Sequence, residues 1–125
     1  MEYSIVQALG KNYPFLQDLA YDNTEKLCIY GCGVNGELIC RYLSNLGKEI
    51  DFFVDKQADS REFTVLGKKV ISPSAYFEIT DDIKVLVSPD NPKPILRFLQ
   101  DNGVPQKNIL CPLKKTEKKI RVLTD

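Results

Sequence analysis

Residues 27–55, LCIYGCGVNGELICRYLSNLGKEIDFFVD, decide the fold of this 125-residue chain. The stretch opens on a wholly apolar run, Leu27–Tyr30, which is typical of a strand covered on both faces of a parallel sheet. A glycine-rich turn follows at 31–36, and apolar side chains then recur at helical spacing over 37–46. A second apolar run at 50–54 predicts another strand. The order strand, turn, helix, strand predicts a βαβ unit.

The turn itself, GCGVNG, is a G-x-G-x-x-G pattern. Gly31 permits the tight turn out of the strand, Gly33 lets a phosphate approach the backbone, and Gly36 lets the helix pack closely on the strand. Asp55 ends the second strand twenty-four residues after Gly31, where a carboxylate can accept hydrogen bonds from a ribose. This context predicts a Rossmann-type, nucleotide-binding fold. A glycine turn that packs a helix on a strand and binds nothing is the alternative.

Downstream, the chain continues to alternate predicted strands and helices. An extended, hairpin-like piece surrounds Gly67, and its second arm is the predicted third strand. A short helix is predicted at 73–77 because Ser72 can cap it and proline can open it. A strand at 83–87, a helix begun at Pro92 and a last strand at 109–111 complete the pattern. We therefore predict a three-layer α/β domain with a five-stranded, mostly parallel sheet.

Two further segments are expected to border a ligand. Ser88 and Pro89 follow the fourth predicted strand, which should flank the first strand where ligands of such sheets bind. The polar loop at 56–62, beginning with Lys56, lies beside the expected ribose position and could close over a ligand. A solvated connection is the favoured interpretation of that loop.

The segments outside the module at 26–112 are predicted to differ from it. Residues 1–25 indicate two short helices, one stopped near Gly10 and one opened by Pro14, which could cover the sheet or form a linker and dimer contact. Residues 113–125 form a basic tail, for which a solvated end is favoured over contact with phosphate or membrane.

Composition limits the function classes. The formal net charge is zero, which argues against nucleic acid as the main partner. No apolar run approaches the roughly 20 residues of a membrane span, and the amino terminus lacks the features of a signal peptide, so we expect a cytoplasmic protein. Four cysteines without a C-x-x-C pair or a histidine predict free thiols rather than a metal site.

The sequence indicates no catalytic set. Histidine, the commonest general base, is absent, so we expect no turnover by the isolated chain. Cys28, Cys40 and Cys111 are interpreted as small core residues. Cys32 lies in the glycine turn near a helix N-terminus, a position that lowers a thiol pKa, but no paired base is visible and we favour an unreactive thiol.

A family resemblance covers residues 26–112. IYGCGVNGELICRYL, IDFFVD, LGKKVISP, VLVSP and NGVPQKNIL resemble the small Rossmann-like module of bacterial sugar-nucleotide and surface-polysaccharide enzymes. Such modules form the N-terminal part of UDP-amino-sugar acetyltransferases and the accessory domain of polysaccharide-type sugar-nucleotide dehydratases. Related modules occur beside methyltransferase and glycosyltransferase domains.

The resemblance implies a sheet in the order 3-2-1-4-5 and a pocket for NAD or a nucleotide-sugar. By position it implies that Asp55 faces a ribose or base, with Lys56 in the neighbouring loop, and that Ser88 and Pro89 line the other wall. The residues that would face the phosphates or the sugar are Gly31, Gly33, Val34, Asn35 and Gly36. We expect these 125 residues to hold no acetyltransferase coil, dehydratase domain or methyltransferase domain, so the catalysis of the full enzymes is not transferred to them.

Three functional hypotheses stay open on the sequence. The first is a module that binds NAD or a nucleotide-sugar and serves sugar-nucleotide or surface-polysaccharide biosynthesis. The second is a non-catalytic interaction domain that docks to a catalytic domain or subunit with its pocket empty. The third is an S-adenosylmethionine-binding methyltransferase fragment, since such sites also use a glycine turn and an acid ending the second strand.

Overall fold

A computed structural model describes residue 19 and residues 26–89 and 91–111. Six strands and three complete α-helices form this part of the chain. The elements are β1 (Leu27–Tyr30), α1 (Val34–Asn45), β2 (Phe52–Val54), β3 (Thr64–Val65), β4 (Lys68–Ile71), α2 (Pro73–Phe77), β5 (Lys84–Val87), α3 (Lys93–Asp101) and β6 (Ile109–Leu110), with 3-10 helices at Lys56–Asp59 and Gln106–Asn108. Apart from Leu19, which is helical and buried, the predictions for residues 1–25 and 113–125 lie outside the described residues.

The sheet runs in the order β3-β4-β2-β1-β5-β6. Every neighbouring pair is parallel except β3 and β4, which are antiparallel. The prediction of five strands in the order 3-2-1-4-5 is therefore wrong in strand number and order, although a mostly parallel α/β sheet is confirmed. The difference arises because the first arm of the predicted hairpin also pairs, as the edge strand β3.

The turn between β3 and β4 explains that extra strand. Leu66 has a φ of 52° and Gly67 has a φ of 76°, so both central residues of this two-residue turn are left-handed. Turns of this kind match the twist of paired strands, and they close tight hairpins. Leucine is an unusual residue there because in the left-handed region its Cβ atom comes too close to the following carbonyl oxygen.

We therefore expect Leu66→Asn to be more stable than Leu66→Ala by about 0.5–1 kcal/mol, part of the roughly 1–2 kcal/mol by which a left-handed conformation disfavours an L-residue. Asparagine tolerates this conformation, and both variants lose the same partly buried leucine side chain, which is 41% exposed. Urea denaturation is the measurement, with Leu66→Ala as the control that removes the same side chain and keeps the strain. Equal stabilities of the two variants would contradict the expectation.

The hydrophobic core lies on both faces of the sheet. Leu27 and Ile29 point into a cluster with Leu43 of α1, whereas Cys28 and Tyr30 point into a second cluster with the side chains of α2 and α3. Alternate residues of a strand face opposite sides of the sheet, and in β1 the residues on both sides are buried. The sheet is thus covered by α1 on one face and by α2 and α3 on the other.

This arrangement positions a cleft between β1 and β5. The two strands are parallel neighbours, but the helix after β1 packs on one face and the helix after β5 packs on the other. The chain therefore leaves the carboxyl ends of these strands in opposite directions. A crevice at such a switch point is where ligands of open α/β sheets bind.

Candidate functional site

The cleft at the carboxyl ends of β1, β2 and β5 has a volume of about 470 Å³. Ligand pockets in proteins commonly measure about 300–1,000 Å³. The residues that line it are Gly31, Gly33, Val34, Asn35, Gly36, Asp55, Gln57, Ser88 and Pro89. The structure thus brings together every residue predicted for the site except Lys56.

Two of the three glycines in the turn are required by the fold. Gly31 has a φ of 100°, and a Cβ there would lie 2.6 Å from the Oγ atom of Ser88. A Cβ on Gly36 would overlap the carbonyl oxygen of Gly31. Gly31 therefore permits the turn, and Gly36 lets α1 pack against it, as their positions in the pattern predict.

Gly33 has no such role. Its backbone is extended at φ −78° and ψ −160°, a conformation open to any residue, and it is the N-cap of α1. A Cβ at Gly33 would have no neighbouring atom within 4 Å, and the residue is exposed on the cleft. Packing and backbone geometry thus leave a side chain free to occupy this position.

Ser88 ties the turn to the neighbouring strand. Its side chain is 2% exposed, and its Oγ atom lies 2.9 Å from the carbonyl oxygen of Tyr30 and 3.1 Å from that of Gly31. The hydroxyl donates its hydrogen to these carbonyls, since both are acceptors. Ser88 therefore fixes the geometry of the turn, and Pro89 extends the same wall of the cleft.

Asp55 joins the opposite wall to the turn. Its Oδ2 atom accepts hydrogen bonds from the backbone N–H of Cys32 at 3.1 Å and from the Cys32 thiol at 3.4 Å. Its Oδ1 atom accepts from the backbone N–H of Gln57 at 3.0 Å, which caps the 3-10 helix Lys56–Asp59. A carboxylate offers about four lone-pair sites, so after these three bonds one site is left, for which the side chain of Gln57 and a donor in the cleft compete.

These hydrogen bonds also determine the charge of Asp55. Burial raises the pKa of its carboxyl, but the bonds from the backbone of Gln57 and Cys32 and from the Cys32 thiol outweigh burial and lower the pKa below its ordinary value. Asp55 is consequently a carboxylate at neutral pH. A carboxylate in this position attracts hydroxyl and amino donors and repels phosphate.

Cys32 behaves differently from a thiol activated at a helix N-terminus. Burial, the hydrogen bond to Asp55 and the charge of Asp55 raise its pKa to about 11. The thiol is therefore protonated at neutral pH and donates to the carboxylate. This removes the lowered pKa on which a reactive Cys32 would depend and agrees with the favoured, unreactive interpretation.

The structure differs from the sequence-based site at two neighbouring residues. Lys56 is exposed in the first turn of the 3-10 helix and does not line the cleft. Gln57 lines the cleft and was missed. In an Asx turn, an aspartate side chain accepts a hydrogen bond from the backbone two residues further along the chain. The position of Gln57 two residues after Asp55 could therefore have predicted its place in the cleft.

Within the described residues, no group of three or more His, Cys, Asp or Glu side chains could hold a metal ion. None of the helices in that part of the chain is long and apolar enough to cross a membrane. Comparisons of the chain with protein-family models, curated proteins and solved structures found no match.

Proposed function

We propose that this chain is a nucleotide-binding module that takes NAD or a nucleotide-sugar in the cleft between β1 and β5 and serves sugar-nucleotide or surface-polysaccharide biosynthesis. The observation that carries the proposal is Gly33. Gly31 and Gly36 are explained by packing, whereas Gly33 has an ordinary backbone and open space around its Cα. Close approach of a ligand to the backbone accounts for a glycine at that position.

The surroundings of Gly33 support a diphosphate as that ligand. Gly33 is the N-cap of α1, and the first backbone N–H groups of a helix leave donors and a partial positive charge for an anion. Asp55 also lines the cleft, where it accepts from the backbone N–H of Cys32 beside Gly33, and its carboxylate suits a ribose hydroxyl. The cleft therefore offers donors for phosphate and an acceptor for sugar.

A second candidate function is a non-catalytic interaction domain with an empty cleft. The observation that favours it is the set of internal hydrogen bonds of Asp55, which caps a 3-10 helix and holds the glycine turn without any ligand. In that case Asp55 acts only as a structural brace. Ligand binding distinguishes the two functions directly.

A thermal-shift panel tests the proposal with NAD, NADP, a UDP-sugar and S-adenosylmethionine. We expect NAD or the UDP-sugar to stabilise the chain by about 2.7 kcal/mol at 100 times its Kd. NADP should bind more weakly than NAD, because the Asp55 carboxylate would repel a 2′-phosphate. Stabilisation by S-adenosylmethionine alone would contradict the proposal, and the absence of any shift would favour the interaction domain.

A further inference from the structure

The cleft is bordered by negative charge from two elements. Asp55 lines it directly, and Asp59 follows in the same 3-10 helix. Glu37 lies in the first turn of α1, close enough to the turn that its charge contributes to raising the pKa of Cys32. These carboxylates oppose the attraction that the N-terminus of α1 has for anions.

The lining has no cation to balance Asp55; Asp59 and Glu37, like Lys56, lie outside the lining. Among the cleft-lining residues that the structure describes, Asp55 is the only one with a charged side chain, and none is lysine or arginine. Lys56, which is nearest in sequence, is exposed outside the lining. A phosphate in the cleft would therefore be held by backbone N–H groups and uncharged side chains, with no cation in the lining, beside a carboxylate.

We infer that the cleft selects diphosphates that are esterified at both ends and excludes free nucleoside diphosphates. This inference rests on the proposed function. A diphosphate esterified at both ends carries two negative charges, whereas a free nucleoside diphosphate carries a further charge above the second ionisation of its terminal phosphate, at a pKa of about 6. Each added negative charge meets the same carboxylates and no new cation, so the free diphosphate is repelled.

Three titratable groups at the cleft keep their charge state between pH 5.5 and 7.5. On the β2 side, Asp55 has a lowered pKa and stays a carboxylate. At the end of β1, the pKa of Tyr30 is raised by burial and by the charges of Asp55 and Asp59, and the pKa of Cys32 is about 11, so both groups are neutral. Ser88 and Pro89 after β5 carry no charge. A change in selectivity between pH 5.5 and 7.5 would therefore come from the terminal phosphate of the ligand.

Calorimetry with two matched pairs tests this selectivity: ADP against ADP-ribose, and UDP against UDP-glucose. EDTA is present so that no divalent cation neutralises the phosphates. At pH 7.5 we expect the esterified member of the pair that binds to have at least about tenfold higher affinity, equivalent to about 1.4 kcal/mol. At pH 5.5 the difference in affinity between the two members of the pair should be smaller, because the terminal phosphate of the free diphosphate gains a proton.

Glu37→Gln identifies the protein groups responsible. It removes one negative charge at the start of α1 without changing a lining residue. It should therefore reduce the difference in affinity between the esterified and the free diphosphate at pH 7.5. Glu78→Gln is the matched control, since this exposed residue follows α2 and does not line the cleft, and it should leave the difference in affinity unchanged. Equal affinities within both pairs would overturn the inference and leave the proposed function intact. Absence of binding by all four ligands, together with no stabilisation by NAD in the thermal-shift panel, would overturn the proposed function itself.

Discussion

Gly33→Val should lower nucleotide affinity at least about 100-fold, or about 2.7 kcal/mol, while the domain remains folded. Valine adds a branched side chain where the backbone borders the cleft, and the proposed ligand needs that space for its phosphates. The fold should tolerate the change because the backbone is extended and a Cβ has no neighbour within 4 Å. Substitution of Gly33 is therefore expected to lower the affinity for the nucleotide while the domain stays folded.

A graded series makes the result specific to side-chain volume. Gly33→Ala should weaken binding less than Gly33→Val, since it adds only the Cβ atom. Both variants remove a glycine N-cap, so a small common loss of helix stability is expected from each. Calorimetry gives the affinities and urea denaturation gives the free energies of unfolding.

Gly36→Ala provides the opposite control. Its Cβ would overlap the carbonyl oxygen of Gly31, so that variant should lose stability first and binding only as a consequence. Parent-like affinity in Gly33→Val would place the ligand outside this cleft. A Gly33→Val variant that unfolds as Gly36→Ala does would show that Gly33, too, is required by the fold.

The elements that the sequence predicted well are those in which local pattern and burial agree. The apolar run Leu27–Tyr30 is a strand with both faces buried. The helix predicted after Ser72 begins at Pro73, and the Ser72 hydroxyl accepts the backbone N–H of Ala75 as a cap should. In each case a single physical requirement is recognisable from the residue type: apolar residues for a buried strand, and serine for a helix cap.

The extra edge strand escaped prediction because its turn has an atypical residue. A tight two-residue hairpin usually shows asparagine or aspartate before glycine, and this one has Leu66 before Gly67. The Leu66 side chain gives no indication of a left-handed backbone, so only the second arm was predicted as a strand. Thr64 pairs with Lys69, and Val65 pairs with Lys68, only in the folded structure, so the local sequence does not indicate this pairing.

Cys32 shows why a single local rule is insufficient at the site. Proximity to a helix N-terminus lowers a thiol pKa, and that rule is visible in sequence. The opposing influences, burial and the Asp55 carboxylate, depend on a residue twenty-three positions away. Once the fold brings Cys32 and Asp55 together, burial and the carboxylate raise the thiol pKa by more than the helix N-terminus lowers it, and the thiol stays protonated.

Asp55→Ala is expected to raise the Kd of the bound nucleotide roughly ten- to hundred-fold. The estimate corresponds to about 1.5–3 kcal/mol, the range for a hydrogen bond to a charged group. The reason is that the carboxylate lines the cleft and keeps acceptor capacity on Oδ1 beyond its bond from Gln57. A ribose hydroxyl that donated to that oxygen would lose its partner in the variant.

The same substitution should also reduce stability, because the backbone N–H groups of Cys32 and Gln57 lose their acceptor. We expect a loss of about 1 kcal/mol, as for removal of a helix cap. The folded-state pKa of Asp55 is lowered, so its contribution to stability is present above the unfolded-state value of about 3.9 and is lost as the pH falls through the folded-state value. The stability difference between the parent and Asp55→Asn should therefore shrink as the pH falls below about 4.

Asp51→Ala separates the structural effect from the ligand effect. Asp51 also accepts a backbone N–H, from Leu27 at 2.8 Å, but it does so at the amino end of β1, away from the cleft. Its loss should destabilise the chain and leave the Kd unchanged, whereas Asp55→Ala should change both quantities. Calorimetry at pH 7.5, with each variant checked for folding at that temperature, is the measurement. If both variants bind as the parent does, Asp55 only braces the glycine turn, and the interaction domain becomes the better account of this cleft.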